Sequence, residues 1–352
     1  MADICVGWCS KPMGRHGGKR SLTAAALWLG ASLAAAPAWA EDSPLPLSLP
    51  IACTPGTECW TINHVDLDPS KGWRDYRCLA MTYNGHKGTD IALANDGRLA
   101  DDVPVLAAAP GRVVGTRDNM ADVNARTTGF AAVKGRECGN GVRIDHGGGW
   151  STQYCHMKRG SILTKTGDMV ERGQALGAVG LSGATEFVHV HLQVTKDGAV
   201  VDPYRGTAGG PDCGAGAVPL WDETTRAALL NQPAPVLLDA GLYGQQITKE
   251  QAASGNYAPA AIPADAPVLI LWLRAAGVEP GDTARVAITR PDGTTFFENT
   301  ISADKRRILF FRFVGRKNRT GAWPTGEWHG SVTLARDGAV TAERTVTARV
   351  TP

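Results

Sequence analysis

The sequence predicts a mainly β protein built of more than one unit. Glycine (42) and proline (21) are abundant among the 352 residues, supplying the turns that an all-β chain needs more than a helical one does. Between residues 84 and 205, short β-like runs alternate with Gly-rich turns. From 266 to 352, further β-like runs recur at the spacing of a small Ig-like β-sandwich. At about 100–200 residues per domain, one to three domains are expected, each able to bury a core.

Residues 1–40 read as an export signal. Lys19 and Arg20 form a positive n-region, the stretch from 22 to 36 is an apolar run rich in Ala and Leu, and Ala38-Trp39-Ala40 is a small-x-small cleavage site before Glu41. Met13 offers a second start that would give a shorter n-region. The competing reading is an uncleaved anchor, but Pro37 interrupts the run and a spanning helix wants about 20 apolar residues. Cleavage leaves 32 basic and 33 acidic residues, a formal charge of −1. No basic field remains to draw in nucleic acid or anionic lipid, and no stable membrane span is expected. A hydrophobic content of 43% with 20% charged residues argues against global disorder.

Six cysteines follow the signal: Cys53, Cys59, Cys78, Cys138, Cys155 and Cys213. An even count in an exported chain reads as a disulfide framework. Cys53–Cys59 is the favoured single pair, because its short loop carries Pro55 and Gly56 and closes easily. A zinc–thiolate site is the weaker alternative, since no CxxC pair occurs.

The elements then fall in order. Residues 41–83 are a disulfide-bearing lead-in. In 84–205 the strand candidates are 103–107, 111–116, 141–146, 151–157 and 187–194, with a further short pair in 168–180. The glycines at 147–149 mark a hairpin turn. Residues 206–265 read as a linker with two short helices, one at 222–231 capped by Asp222 and one at 248–254. The sandwich candidates are 268–274, 284–289, 294–301, 308–314, 329–334 and 339–350.

Three segments carry chemistry. Gly85-His86-Lys87-Gly88-Thr89-Asp90 places an imidazole and a carboxylate four residues apart at a Gly-containing turn, a nitrogen and oxygen donor set that suits zinc. Alone, that pattern is weak. In 187–194, Val188, Val190, Leu192 and Val194 share one strand face while Phe187, His189, His191 and Gln193 share the other. Two histidines two apart on one face point into the same space, so one can ligate while the other touches the substrate. Tyr154-Cys155-His156 ends the hairpin's second strand, where alternation puts Tyr154 and His156 on one face and turns Cys155 away. That geometry argues against a Cys–His nucleophilic pair and for Cys155 as half of a disulfide. His64, His146 and His329 have no motif partners and read as structural or exposed.

The order HxxxD, a hairpin ending in Tyr-x-His, then HxH resembles the M23 (LytM/lysostaphin-type) peptidoglycan endopeptidases. The resemblance covers about 84–204 and includes 105–113, 138–147, 170–180 and 181–185; Val188 stands where the family often has Pro. It implies a compact antiparallel β peptidase domain with lipoyl-like hairpins and one Zn2+ per chain. His86, Asp90 and His191 would be the zinc ligands, and His156 and His189 the non-ligand catalytic histidines. The implied substrate is the peptide crosslinks or bridges of bacterial peptidoglycan, cut in the periplasm or outside the cell. No HExxH motif is present to supply a helix-borne Glu base. Two other readings compete: a non-catalytic M23-like activator, and a module that binds cell wall or, through the C-terminal unit, a protein partner. In that unit Trp323 and Trp328 either stack on sugar or, more commonly for tryptophan, pack inside.

Overall fold

The computed structural model describes residues 44–207, 213–232, 234–255 and 261–352. The proposed export signal lies outside the described residues. Among them, no helix is long and apolar enough to cross a membrane.

The first unit holds ten strands: β1 (Cys59–Asn63), β2 (Thr89–Leu93), β3 (Pro104–Leu106), β4 (Gly111–Arg117), β5 (Asn140–Gly147), β6 (Trp150–Met157), β7 (Met169–Val170), β8 (Ala175–Ala178), β9 (His189–Lys196) and β10 (Ala199–Val200). A single-turn helix, α1 (Ala125–Thr128), sits between β4 and β5. The main sheet runs β1-β2-β9-β6-β5-β4-β7, with β10 on β9 and a separate β3–β8 pair. Every pairing in it is antiparallel. β9 lies between β2 and β6, and its alternation follows the expectation: Val190, Leu192 and Val194 are fully buried. Burying each such side chain stabilises by about 1.5–3 kcal/mol. The glycines at 147–149 turn β5 into β6 with positive φ at all three.

The core under this sheet extends beyond both ends of the strand-rich segment. Leu45, Leu47 and Ile51 enter it from the lead-in, and Leu220, Trp221 and Leu229 from the downstream side. Three disulfides close: Cys53–Cys59 as expected, Cys138–Cys155, and Cys78–Cys213 across 135 residues.

Downstream, α2 (Glu223–Leu230) is capped by Asp222, whose side chain accepts from the Thr225 N–H. Then come β11 (Val236–Tyr243) and α3 (Lys249–Ser254), the latter with a Thr248/Gln251 capping box. β12 (Ile262–Pro263), β13 (Val268–Val278), β14 (Thr283–Thr289), β15 (Thr295–Ser302), β16 (Arg307–Lys317), β17 (Gly326–Arg336) and β18 (Ala339–Thr351) complete the chain. They form two sheets, β11-β13-β16 and β12-β18-β17-β14-β15. Leu237, Leu242, Leu271 and Leu273 of the first share a core with Val286, Ile288, Val332 and Leu334 of the second. Trp323 and Trp328 lie in that core with Phe296 between their edges, and their Nε1 atoms donate to the carbonyls of Ala266 and Pro324. Neither indole offers an open face to a sugar.

The sandwich docks on the first unit through a small apolar seam. Val236, Leu238 and Ala276 pack against Trp60, Ile62 and Ala92, with Phe187 at its border. Polar ties flank it: Asn95 Nδ2 donates to Asp239 (2.8 Å) and Arg274 to the Ala94 carbonyl (2.9 Å).

Candidate metal centre

The five histidine and aspartate positions singled out in the sequence converge on one face of the sheet. Asp90 of β2 is directly opposite His191 of β9, and Ala92 is opposite His189. Residues opposite one another in an antiparallel pair share a face, so the register aims Asp90, His189 and His191 together.

His156 arrives differently from the expectation. Tyr154 pairs with Leu192 and Cys155 with His191, so Tyr154 lies on the core face and Cys155 on the site face. The Tyr154 hydroxyl is buried, accepting from the Ala108 N–H (2.7 Å). The predicted shared face of Tyr154 and His156 fails because His156 leaves the alternation: its φ is +61°. That left-handed backbone is costly for a non-glycine residue. It is held by the His156 N–H donating to the Cys138 carbonyl (2.8 Å), beside the Cys138–Cys155 bond. The kink swings the imidazole back to the site, with its ring centre 4.7 Å from that of His189 and 5.9 Å from that of His191.

The donor atoms are close. His86 Nε2 is 3.1 Å from His191 Nδ1 and 3.1 Å from Asp90 Oδ2, and His191 Nδ1 is 2.8 Å from Asp90 Oδ1. A tetrahedral zinc ion with bonds of about 2.0–2.1 Å spaces its ligand atoms about 3.3 Å apart. The cluster therefore needs to open by only a few tenths of an ångström to hold one. Two imidazoles and a carboxylate, with no thiolate, form the three-ligand set of a zinc site that keeps a fourth position open.

Backbone carbonyls fix which nitrogen faces inward. His86 Nδ1 lies 2.6 Å from the His64 carbonyl, His156 Nδ1 2.8 Å from that of Ser182, and His189 Nδ1 2.9 Å from that of Phe187. A carbonyl only accepts, so each Nδ1 carries a hydrogen, and in the neutral imidazole each Nε2 presents a lone pair to the site. His191 turns the other way, with Nδ1 inward. Its side chain is the most accessible of the cluster, at 13%.

Electrostatics follow from burial. Desolvation alone would raise the Asp90 carboxyl, but the charges of His86 and His189 and hydrogen bonds from His189 and His191 hold it well below the usual range. Desolvation also opposes a charged His86, yet Asp90 outweighs it and lifts that imidazole. Burial, then repulsion from His189 and His191, pushes His156 well below the ordinary value, so it stands neutral at pH 7.

Several contributors have no local sequence signal. Asn63 of β1 donates from Nδ2 to Asp90 Oδ2 (2.8 Å). Ser182 supplies the carbonyl for His156, and its hydroxyl donates to the Met157 carbonyl (2.7 Å). His64 acts through its backbone; its ring is wedged edge-on against Tyr76 and Tyr204. His146 is structural, with its nitrogens tied to Pro110 O and Thr152 Oγ1, and His329 lies on the surface near Glu327.

A buried His–Asp–His cluster with two more imidazoles beside it could hold a metal ion. The segment that carries it, residues 84–203, matches the sequence profile of peptidase family M23. Over 120 residues it is 31% identical to the peptidoglycan DD-endopeptidase ShyA of Vibrio cholerae, covering 34% of this chain and 22% of that protein. ShyB of the same organism is 28% identical over 120 residues, with the same coverage. The chain thus spans about a fifth of the length of these relatives. Among solved structures, a mutant catalytic domain of the prophage-encoded M23 protein EnpA from Enterococcus faecalis is 25% identical, covering 44% of this chain and 95% of that one, with a TM-score of 0.30. The catalytic domain of lysostaphin from Staphylococcus simulans is 21% identical, covering 39% and 86%, with a TM-score of 0.25.

Proposed function

We propose that this chain is an exported zinc endopeptidase that hydrolyses peptide crosslinks of bacterial peptidoglycan, in the periplasm or outside the cell. The observation that carries the reading is the completeness of the site: three clustered donors plus two histidines whose Nε2 atoms face them. A non-catalytic activator would have no need for both extra imidazoles in fixed tautomers. Three disulfides support export, since such bonds persist in oxidising compartments. Kinship with DD-endopeptidases supports the substrate class.

His86, Asp90 and His191 would hold the ion. Bound there, zinc supplies a Lewis acid for the scissile carbonyl and makes water acidic enough to attack near neutral pH. The remaining work falls to the protein. His156, neutral and with its Nδ1–H locked on Ser182, offers Nε2 as a proton acceptor for the attacking water. His189, with its Nε2 3.4 Å from Asp90 Oδ1, is placed to stabilise developing oxyanion charge or to protonate the leaving amine. The sandwich would offer a surface for a protein partner.

The test is digestion of purified peptidoglycan with and without a chelator, followed by mass analysis of the released peptides. His191→Ala is expected to lose both zinc and activity. His156→Ala and His189→Ala are expected to keep zinc while activity falls by about 10²–10⁴-fold, the usual worth of a general acid or base. Full-rate hydrolysis by His191→Ala would sink the assignment.

A further inference from the structure

We propose that Asn63 is a positioning residue for the Asp90 carboxylate, delivered to it by a β-bulge in β1. The inference rests on the reading of His86, Asp90 and His191 as metal ligands.

The bulge is visible in the register. Trp60 lies opposite Ala92 and Thr61 opposite Ile91, but then Ile62 is skipped and Asn63 lies opposite Asp90. Regular pairing would set Ile62 against Asp90 and leave Asn63 one place farther along. One inserted residue re-aims the following side chain, a known use of bulges near active sites.

The amide is an expensive choice for that position. Asn63 is 3% exposed, and while Nδ2 donates to Asp90 Oδ2 at 2.8 Å, its Oδ1 has no hydrogen-bond partner among the described residues. Leaving a buried acceptor unsatisfied destabilises the fold. Flipping the amide would set its oxygen against the carboxylate, acceptor against acceptor, so the orientation is dictated by Asp90. An apolar side chain would serve the core better; the amide is explained by what it does for Asp90.

That service is specific to the loaded site. Asp90 Oδ2 faces His86 Nε2 as well as Asn63, and Oδ1 faces His191 Nδ1. Once both imidazole nitrogens give their lone pairs to a metal, they cannot donate to the carboxylate. Asn63 remains as a donor at Oδ2. Being neutral, it orients the carboxylate without cancelling the negative charge that attracts the cation.

The experiment measures metal affinity of the full chain by chelator competition, using zinc alone, and the visible spectrum of the cobalt-loaded protein. Asn63→Leu, which keeps the branching at Cγ, and Asn63→Ala are compared with wild type and Asp90→Ala. Both Asn63 variants are expected to bind zinc about 10–100-fold more weakly, as loss of an outer-sphere partner typically does, with a shifted cobalt spectrum. The zinc-induced rise in melting temperature should shrink as well. That rise is a difference between loaded and metal-free protein, so it separates positioning from a purely structural role even where a variant's baseline stability drops. Wild-type zinc affinity and cobalt spectrum in the Asn63 variants, with zinc lost in Asp90→Ala, would overturn the positioning role alone. Wild-type zinc affinity in Asp90→Ala would overturn the ligand reading beneath it.

Discussion

Gly88 lies between His86 and Asp90, and the space at its α-carbon is already taken. A Cβ there would come within 2.5 Å of His191 Nε2 and 2.6 Å of the Leu192 carbonyl oxygen. The backbone oxygen cannot yield, so the imidazole must. Gly88→Ala is therefore expected to displace His191 and cut zinc affinity by at least about 10-fold, as measured by chelator competition, with an overpacking cost of about 1–3 kcal/mol in denaturant unfolding. Unchanged affinity would mean that His191 has more freedom than its packing implies. At this scale much of the site was legible: the HxxxD and HxH spacings named His86, Asp90, His189 and His191. His156 was named only through the family resemblance, and its expected shared face with Tyr154 does not hold, because a strand pattern cannot announce the positive φ that turns it. Asn63 was illegible, since its role depends on a skipped residue and on pairing with a strand 26 positions or more away in sequence.

Among elements, the turn after β10 carries the clearest pH signature. Asp202 accepts from the N–H groups of Tyr204 (2.7 Å) and Arg205 (3.3 Å) through Oδ1, while its buried Oδ2 has no hydrogen-bond partner among the described residues. Burial raises this carboxyl to about 7, with the two backbone hydrogen bonds pulling the other way. Its unfolded value is about 3.9. The folded state therefore binds the extra proton between those limits, and its stabilisation is full below about pH 4 and lost as pH rises through 7. Asp202→Asn keeps the acceptor and removes the charge. Its melting temperature should exceed wild type at pH 8, by about 2–4 °C for each kcal/mol relieved, and the gap should close toward pH 4. Equal melting temperatures across that range would show that the carboxyl is solvated. The strands of both units were largely readable, β9 from its alternation and β13 to β18 from the recurrence and spacing of β-like runs. β1 and β11 were not. The β1 sequence, CWTIN, is five residues long with a bulge, and β11 is broken by Asp239 and Gly241 in Gly- and Pro-rich surroundings, so each draws its strand character from its partner.

For the whole molecule, the seam between sheet and sandwich matters because Trp60 and Ala92 share strands with Asn63 and Asp90. Leu238 is 2% exposed there. Leu238→Ala should cost about 2–5 kcal/mol and split a single calorimetric transition into two, as the sandwich parts from the sheet. Two transitions already present in wild type would show the units to be energetically independent. Another long-range tie is the Cys78–Cys213 disulfide. It pins the loop that holds Tyr76, and Tyr76 in turn stacks on Tyr204 and meets the edge of His64, whose carbonyl fixes His86. A chain leaving the ribosome makes Cys78 early and Cys213 late, and the bond can close only where an oxidant is present. On the proposed route of export, a protein able to cut the wall would thus remain unfinished while inside the cell that makes it, and the last stitch would be taken at its destination.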